Sequence, residues 1–232
     1  MIKSVLKIIY PPVCPFCEKA CTTAVCGNCT AAVRYIDEPR CKRCGKPIRS
    51  EQQEYCGDCR GTEKAFEAGR NLWVHQGGVS DSLYRFKYHS RKINGRFYGR
   101  QLAERYSSLI ARWQIEQIIP VPLHRKRKKQ RGFNQAELIA GELGRLTDIP
   151  VNVKSLVRNR DTVPQKQLSA RGRRTNLKDA FRVREAGQLY RCILLIDDIY
   201  TTGNTLNEAA KCLKDAGVSK VYFLTISIGQ GI

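Results

Sequence analysis

Eight cysteines in the first 60 residues fall into four Cys-x-x-Cys pairs: Cys14/Cys17, Cys26/Cys29, Cys41/Cys44 and Cys56/Cys59. No other pattern in the chain restricts its folding so tightly. Two thiolates three positions apart on a tight knuckle can face one metal ion, and two knuckles complete a tetrahedral four-sulfur zinc site. Gaps of eight residues between Cys17 and Cys26 and eleven between Cys44 and Cys56 suit short ribbon hairpins. Two zinc ions per chain are expected. Sequential pairing gives the first two knuckles to one ion and the last two to the other; an interleaved arrangement satisfies the same spacing. Four thiolates leave no open coordination position, so the metal's role is structural, and a segment this poor in large apolar side chains needs it to fold. Disulfides are the rival account, disfavoured for a chain held in a reducing compartment. Cys21, Cys192 and Cys212 stay outside the pairs, the last two as small buried thiols on an expected strand and helix.

From Glu63 onward the pattern changes to alternating strands and helices, dividing the chain into a zinc-ribbon domain at 1–62 and a larger domain at 63–232. Strands are expected at Ala68 to His75, Gln117 to Val121, Val151 to Val157, Ala180 to Val183, Arg191 to Ile196 and Lys220 to Ser227. Helices are expected at Ser80 to Tyr88, Arg96 to Trp113 and Phe133 to Leu146, the second burying Phe97, Leu102, Tyr106, Leu109 and Ile110 on one face. Pro122 to Arg131 reads as a loop. Successive strand–helix–strand units make an α/β fold, a parallel sheet flanked by helices with ligands at the carboxyl ends of the strands. Asp197 and Pro122 both lie at such ends.

The formal charge is +20. Residues 121–184 hold 17 Lys and Arg against 5 Asp and Glu, whereas residues 185–232 hold 4 against 5, so the excess sits in the middle of the chain. Such a field draws polyanions: pyrophosphate, nucleotides or nucleic acid. No stretch reaches the roughly 20 apolar residues of a membrane span, and Ile2 to Tyr10 carries Lys3 and Lys7 without a signal-peptide cleavage pattern, so a cytoplasmic protein is expected. Walker A and dinucleotide fingerprints are absent.

Residues 193–206 read Ile-Leu-Leu-Ile-Asp-Asp-Ile-Tyr-Thr-Thr-Gly-Asn-Thr-Leu. The aliphatic run suits a strand buried on both faces, and the Thr-Thr-Gly-Asn-Thr turn can wrap a phosphate where a helix begins. Asp197 and Asp198 come one step earlier. Carboxylates only accept hydrogen bonds, so a vicinal diol suits them and a phosphate does not. This block resembles the phosphoribosyl pyrophosphate (PRPP) signature of type I phosphoribosyltransferases. The resemblance implies that Asp197 and Asp198 bind the ribose hydroxyls and that Thr201, Thr202, Gly203, Asn204 and Thr205 hold the 5′-phosphate. Asn204 departs from the small residue often found there, and it tolerates a left-handed backbone.

Arg131-Gly-Phe-Asn-Gln, Phe86-Lys87-Tyr88-His89, the series Arg158, Arg160, Thr162, Gln165, Leu168, Arg173 and Asn176, and the four knuckles are similar to the ComF family within that superfamily. The likeness spans essentially the whole chain. It implies a pyrophosphate loop at 122–131 with Arg125 and Arg131, a further contact from Lys87, and a flap at 159–174 carrying Arg160. A hood at 66–90 would select the acceptor base. Mg²⁺ would accompany PRPP. Asp197, Asp198, Arg131 and Arg160 are then the catalytic candidates for transfer of phosphoribose to a nitrogenous base. ComF relatives are also associated with natural competence and uptake of single-stranded DNA beside an ATP-driven DNA translocase. The second implied function is accordingly a non-catalytic single-stranded-DNA binder regulated by PRPP.

Overall fold

The structure, a computed structural model, describes residues 13–159, 180–184 and 188–229. Its first segment is two ribbons built on one backbone plan. Cys14 N–H donates to the Lys19 carbonyl (2.9 Å) and Cys41 N–H to that of Lys46 (2.8 Å), while the bridges Val13/Ala20 and Arg40/Pro47 close each hairpin. A short helix, α1 (Gly27–Ala32), starts within the second knuckle of the first ribbon, with Cys26 at its N-cap and Cys29 inside it.

Beyond the ribbons come β1 (Ala68–Val74), α2 (Gly77–Tyr88), α3 (Ile93–Arg112), β2 (Gln117–Pro120), α4 (Arg125–Arg131) and α5 (Gln135–Thr147). Then follow β3 (Leu156–Arg158), β4 (Phe181–Val183), β5 (Cys192–Tyr200), α6 (Asn204–Asp215) and β6 (Lys220–Ile228). Strands β1, β6, β5 and β2 form, in that order, a wholly parallel sheet. Its central strands are buried on both sides, which explains the unbroken aliphatic run of β5.

Alternation along β5 divides the core. Leu194 and Ile196 face one side with Leu224, Leu83, Phe86 and α5, and Cys14 and Phe16 of the first ribbon join them. Ile193 and Leu195 face the other with Phe223, Leu206, Ala209 and all four cysteines of the second ribbon. Each ribbon thus completes a different hydrophobic layer of the sheet.

Several sequence expectations need correction. The strands at Val151 to Val157 and Ala180 to Val183 do not enter the parallel sheet. Val151 makes only an isolated bridge to Ile118, and β3 and β4 pair antiparallel as a separate ribbon. Pro122 to Arg131 is not all loop. His124 caps α4 by accepting from Lys126 N–H (3.4 Å), and Gly132, at φ 76°, ends it in the left-handed region. Long Lys and Arg side chains are good helix formers, a preference that charge counting hides. On α3 the buried face is Tyr98, Leu102, Ala103, Tyr106 and Ile110; Phe97 and Leu109 are only half-buried. Finally, β5 runs on through both aspartates to Tyr200.

Candidate functional site

The continuation of β5 settles where the carboxylates point. Successive strand residues face opposite sides. Asp197 follows Ile193 and Leu195 onto the layer of the second ribbon, and Asp198 follows Leu194 and Ile196 onto the layer of the first. Both are partly buried. Asp198 Oδ2 lies 3.0 Å from Lys87 Nζ of α2, with both side chains about one-seventh exposed. Asp197 Oδ1 accepts from the Asp198 backbone N–H at 2.8 Å. Burial first, and the neighbouring Asp198 charge second, push the Asp197 carboxyl up to about 7, against the pull of the Asp198 N–H, Lys87 and Arg158.

After Tyr200 the chain bends through Thr201 and Thr202 and turns at Gly203, which sits at φ 76° at the head of α6. The left-handed position is therefore Gly203, and Asn204 is already helical, so its tolerance of that conformation is not what the turn uses. A Cβ on Gly203 would lie 2.3 Å from Tyr200 Oη, so the turn has no room for one. Thr202 Oγ1 is buried with no hydrogen-bond partner among the described residues. An orphaned hydroxyl beside a helix N-terminus is a place for an oxyanion.

The Arg-Gly-Phe-Asn-Gln run turns out to be largely a joint. Gly132 ends α4, Phe133 packs against Phe86 (5.7 Å between rings), and Asn134 caps α5 by accepting from Ala136 N–H at 3.1 Å. Asn134 Nδ2 also donates to the Val121 carbonyl (3.0 Å), tying the joint to the end of β2. Arg131 is held by Gln135 Oε1 and Tyr88 Oη, each at 3.2 Å, and its guanidinium lies 5.0 Å from the Tyr88 ring centre. Sequence reasoning missed this clasp, although Tyr88 adjoins Lys87 in the motif already singled out.

Beside β2 lies a cleft of about 620 Å³ lined by His124, Arg125, Lys128, Arg158, Arg182 and Arg184 among others. The one carboxylate among its described residues, Glu137, is engaged by Lys128 through both oxygens (2.8 and 3.0 Å). Arg125 is exposed on this cleft. Arg182 on β4 and Arg184 just beyond it were not anticipated; the sequence reading placed that strand correctly but not its partner. Arg160 and Thr162 to Asn176 lie outside the described residues.

The eight paired cysteines gather sequentially, as Cys14/Cys17/Cys26/Cys29 and Cys41/Cys44/Cys56/Cys59, with all sulfurs of a group within 4.8 Å of one another. The interleaved pairing is ruled out. Sulfurs on a tetrahedral zinc ion with bonds of about 2.3 Å stand about 3.8 Å apart. Cys17 and Cys26 are 3.6 Å apart, as are Cys44 and Cys56, so the donor sets fit two structural zinc ions and are too wide for disulfides. No helix among the described residues is long and apolar enough to cross a membrane.

Known proteins share this layout. The double zinc ribbon domain family matches residues 5–60. Competence protein F of Haemophilus influenzae is 34% identical over 203 residues, covering 85% of this chain and 87% of that protein. DNA utilization protein YhgH of Escherichia coli O157:H7 is 31% identical over 204 residues, with the same coverage of 85% and 87%. Competence protein ComFC of Bacillus subtilis is 28% identical over 83% of this chain and 79% of that one. Adenine phosphoribosyltransferase from Leishmania tarentolae superimposes on 56% of this chain and 71% of its own, at 14% identity and a TM-score of 0.33, a likeness too loose to carry an argument.

Proposed function

The chain belongs to the ComF family of competence proteins, and on that premise we propose that it binds PRPP with Mg²⁺ at the carboxyl end of β5 and serves DNA uptake. One observation carries the reading: Asp197 and Asp198 stand directly before a turn that combines the orphaned Thr202 hydroxyl with a left-handed Gly203 opening α6. Diol acceptors and an oxyanion seat one strand-end apart match a ribose 5-phosphate. In this reading Asp197 and Asp198 accept from the ribose hydroxyls, and Thr201, Thr202, Gly203, Asn204 and Thr205 hold the 5′-phosphate. Arg131, fixed by Tyr88 and Gln135, and Arg125 across the cleft face the pyrophosphate, with Arg160 added from the segment after β3. Lys87 holds Asp198 in orientation through their ion pair. The hard oxygen donors suit Mg²⁺, which supplies charge neutralisation to the pyrophosphate when bound.

Transfer needs no protein nucleophile. A base nitrogen bonds to the anomeric carbon as the carbon–oxygen bond to pyrophosphate breaks, and the cations stabilise the departing oxygen. Calorimetry is expected to show Mg²⁺-dependent PRPP binding that the Asp197→Asn/Asp198→Asn variant loses; equal affinity in that variant would overturn the reading. Release of pyrophosphate over a panel of bases then separates an enzyme from a PRPP-regulated binder. The division at residues 62 and 63 is kept as part of this proposal, with the ribbons as scaffold and the rest as the binding domain.

Single-stranded DNA is the second ligand proposed, in company with an ATP-driven DNA translocase. Tyr84 and Tyr88, 57% and 54% exposed, lie side by side along α2 with ring planes tilted 46°, beside Arg131 and the cationic α4, a surface suited to bases and phosphates together. Oligonucleotide affinity should fall steeply with salt.

A further inference from the structure

Asn71 is 1% exposed and Thr225 fully buried, yet both carry polar side chains into the apolar layer between the sheet and the second ribbon. Burial of that kind is costly unless every group is paired. Here each group is paired in a line. The Asn71 amide donates to the Cys44 carbonyl at 2.8 Å, and its oxygen accepts from Thr225 Oγ1 at 2.7 Å. Asn71 is in register with Thr225, and Thr225 in register with Asp197. Residues in register on parallel strands face the same side, so the three form one polar row across β1, β6 and β5. It starts at a zinc knuckle and ends at the candidate ribose-binding carboxylate.

The knuckle is pressed onto this row. A Cβ on Gly45, at φ +73°, would lie 2.9 Å from the Gly69 carbonyl oxygen and 3.0 Å from Asn71 Nδ2, and Gly69 N–H donates to the Arg43 carbonyl at 2.7 Å. Phe223 covers Gly69 so closely that a Cβ there would stand 2.2 Å from the ring. The Phe223 ring stacks on Tyr200 (5.2 Å, 15°), and Tyr200 Oη lies against Gly203. The ring path runs contact by contact from the second cluster to the turn at Gly203, and the polar row carries the strand register from Cys44 to Asp197. The first cluster has neither. Its carbonyls at Pro15 and Phe16 accept from Ser82 and Arg85 of α2, on the Lys87 and Asp198 side.

Resting on the phosphoribosyl reading, we propose that Asn71 and Thr225 are positioning residues that make the placement of Asp197, and hence the affinity for PRPP, depend on the second four-cysteine cluster and not on the first. They touch no substrate. They hold the sheet face on which Asp197 stands in the register set by Cys41, Cys44, Cys56 and Cys59.

The test uses the full chain loaded with zinc and labelled with carbon-13, following the carboxyl resonances of Asp197 and Asp198, zinc per chain, and calorimetric titration with PRPP and Mg²⁺. Asn71→Leu is expected to keep two zinc ions, to move the Asp197 resonance but not that of Asp198, and to weaken PRPP about tenfold, the scale of one lost hydrogen-bonded link. Thr225→Val should behave alike, and Thr225→Ser, which keeps the hydroxyl, should restore both readouts. Thr225→Val preserves shape and decides the matter if Asn71→Leu does not fold. An unmoved Asp197 resonance with unchanged affinity overturns the proposal, and so does equal movement of both aspartates, which would mean general loosening. If the unaltered chain fails to bind PRPP, the phosphoribosyl reading falls, and the Asp197 resonance alone decides the positioning.

Discussion

The first and second ribbons repeat one knuckle hairpin but differ in what surrounds the metal site. In the second, Cys41, Cys44, Cys56 and Cys59 are at most 4% exposed and lie inside the core layer that carries Tyr200 and Phe223. In the first, only Cys14 is buried, Cys17 is exposed, and Cys26 and Cys29 are half-covered. Position for position, Glu18 takes the left-handed turn (φ 59°) that Gly45 takes in the second knuckle. A glycine is needed only where the knuckle meets backbone. Glu18 instead turns outward to Arg85 (3.4 Å) and Arg91 (2.6 Å). One knuckle plan therefore serves two ends: an embedded core element on one face of the sheet, and a clamp on α2 on the other.

That contrast is broken or sharpened most by removing one ligand from each cluster. A structural zinc site contributes about 10 kcal/mol or more, comparable with the whole stability of a domain. Cys44→Ser should abolish cooperative thermal unfolding, because the lost site is part of the core. Cys17→Ser should leave a folded sheet with a lower melting temperature and close to one zinc per chain, read by metal analysis and calorimetry. Similar damage from both would erase the distinction.

A smaller effect probes the first ribbon's face. Lys87→Met leaves the Asp198 carboxylate without its partner in a site where both are largely buried, which should cost about 2–3 kcal/mol in urea unfolding. Asp198→Asn in the same background should recover part of it, since no charge then remains to be stabilised. Additive losses would show that the ion pair is not what Lys87 provides.

A further effect is a pH dependence on the other face. With its carboxyl at about 7 against an ordinary 3.8, Asp197 keeps a proton in the folded chain that the unfolded chain releases. Its contribution to stability therefore declines as pH rises from about 4 to about 7. If Asp197 binds the ribose as proposed, PRPP affinity should run the opposite way, rising through pH 7 as its carboxyl ionises. Asp197→Asn should flatten both profiles in unfolding and binding measurements made between pH 5 and pH 8.

Much of this was legible along the chain. Knuckle spacing is a local covalent constraint, so the eight ligand cysteines and their four pairs could be named, but not which pairs share an ion, and the aliphatic run of β5 announced a strand buried on both faces. The Thr-Thr-Gly turn could be placed because its chemistry lies within a few consecutive residues. The errors arose where long-range partners decide. Nothing local tells that β3 and β4 pair with each other, since strand partners are chosen by packing. Helix α4 was hidden because six cations in seven residues read as a charged loop, while its caps at His124 and Gly132 lie just outside the run.

Sequence alone determined the four cysteine pairs, the acidic pair and the Thr-Thr-Gly turn, since each is written in contiguous residues with fixed spacing. Tertiary structure decided how they are joined. It chose sequential pairing of the knuckles, seated one ribbon on each face, gave Asp198 to Lys87 and placed Asp197 in a row with Thr225 and Asn71. The physical reason is the two-residue period of a strand: along β5 as far as Asp198 neighbouring residues face opposite layers, and which ribbon fills which layer is settled by burial across the sheet.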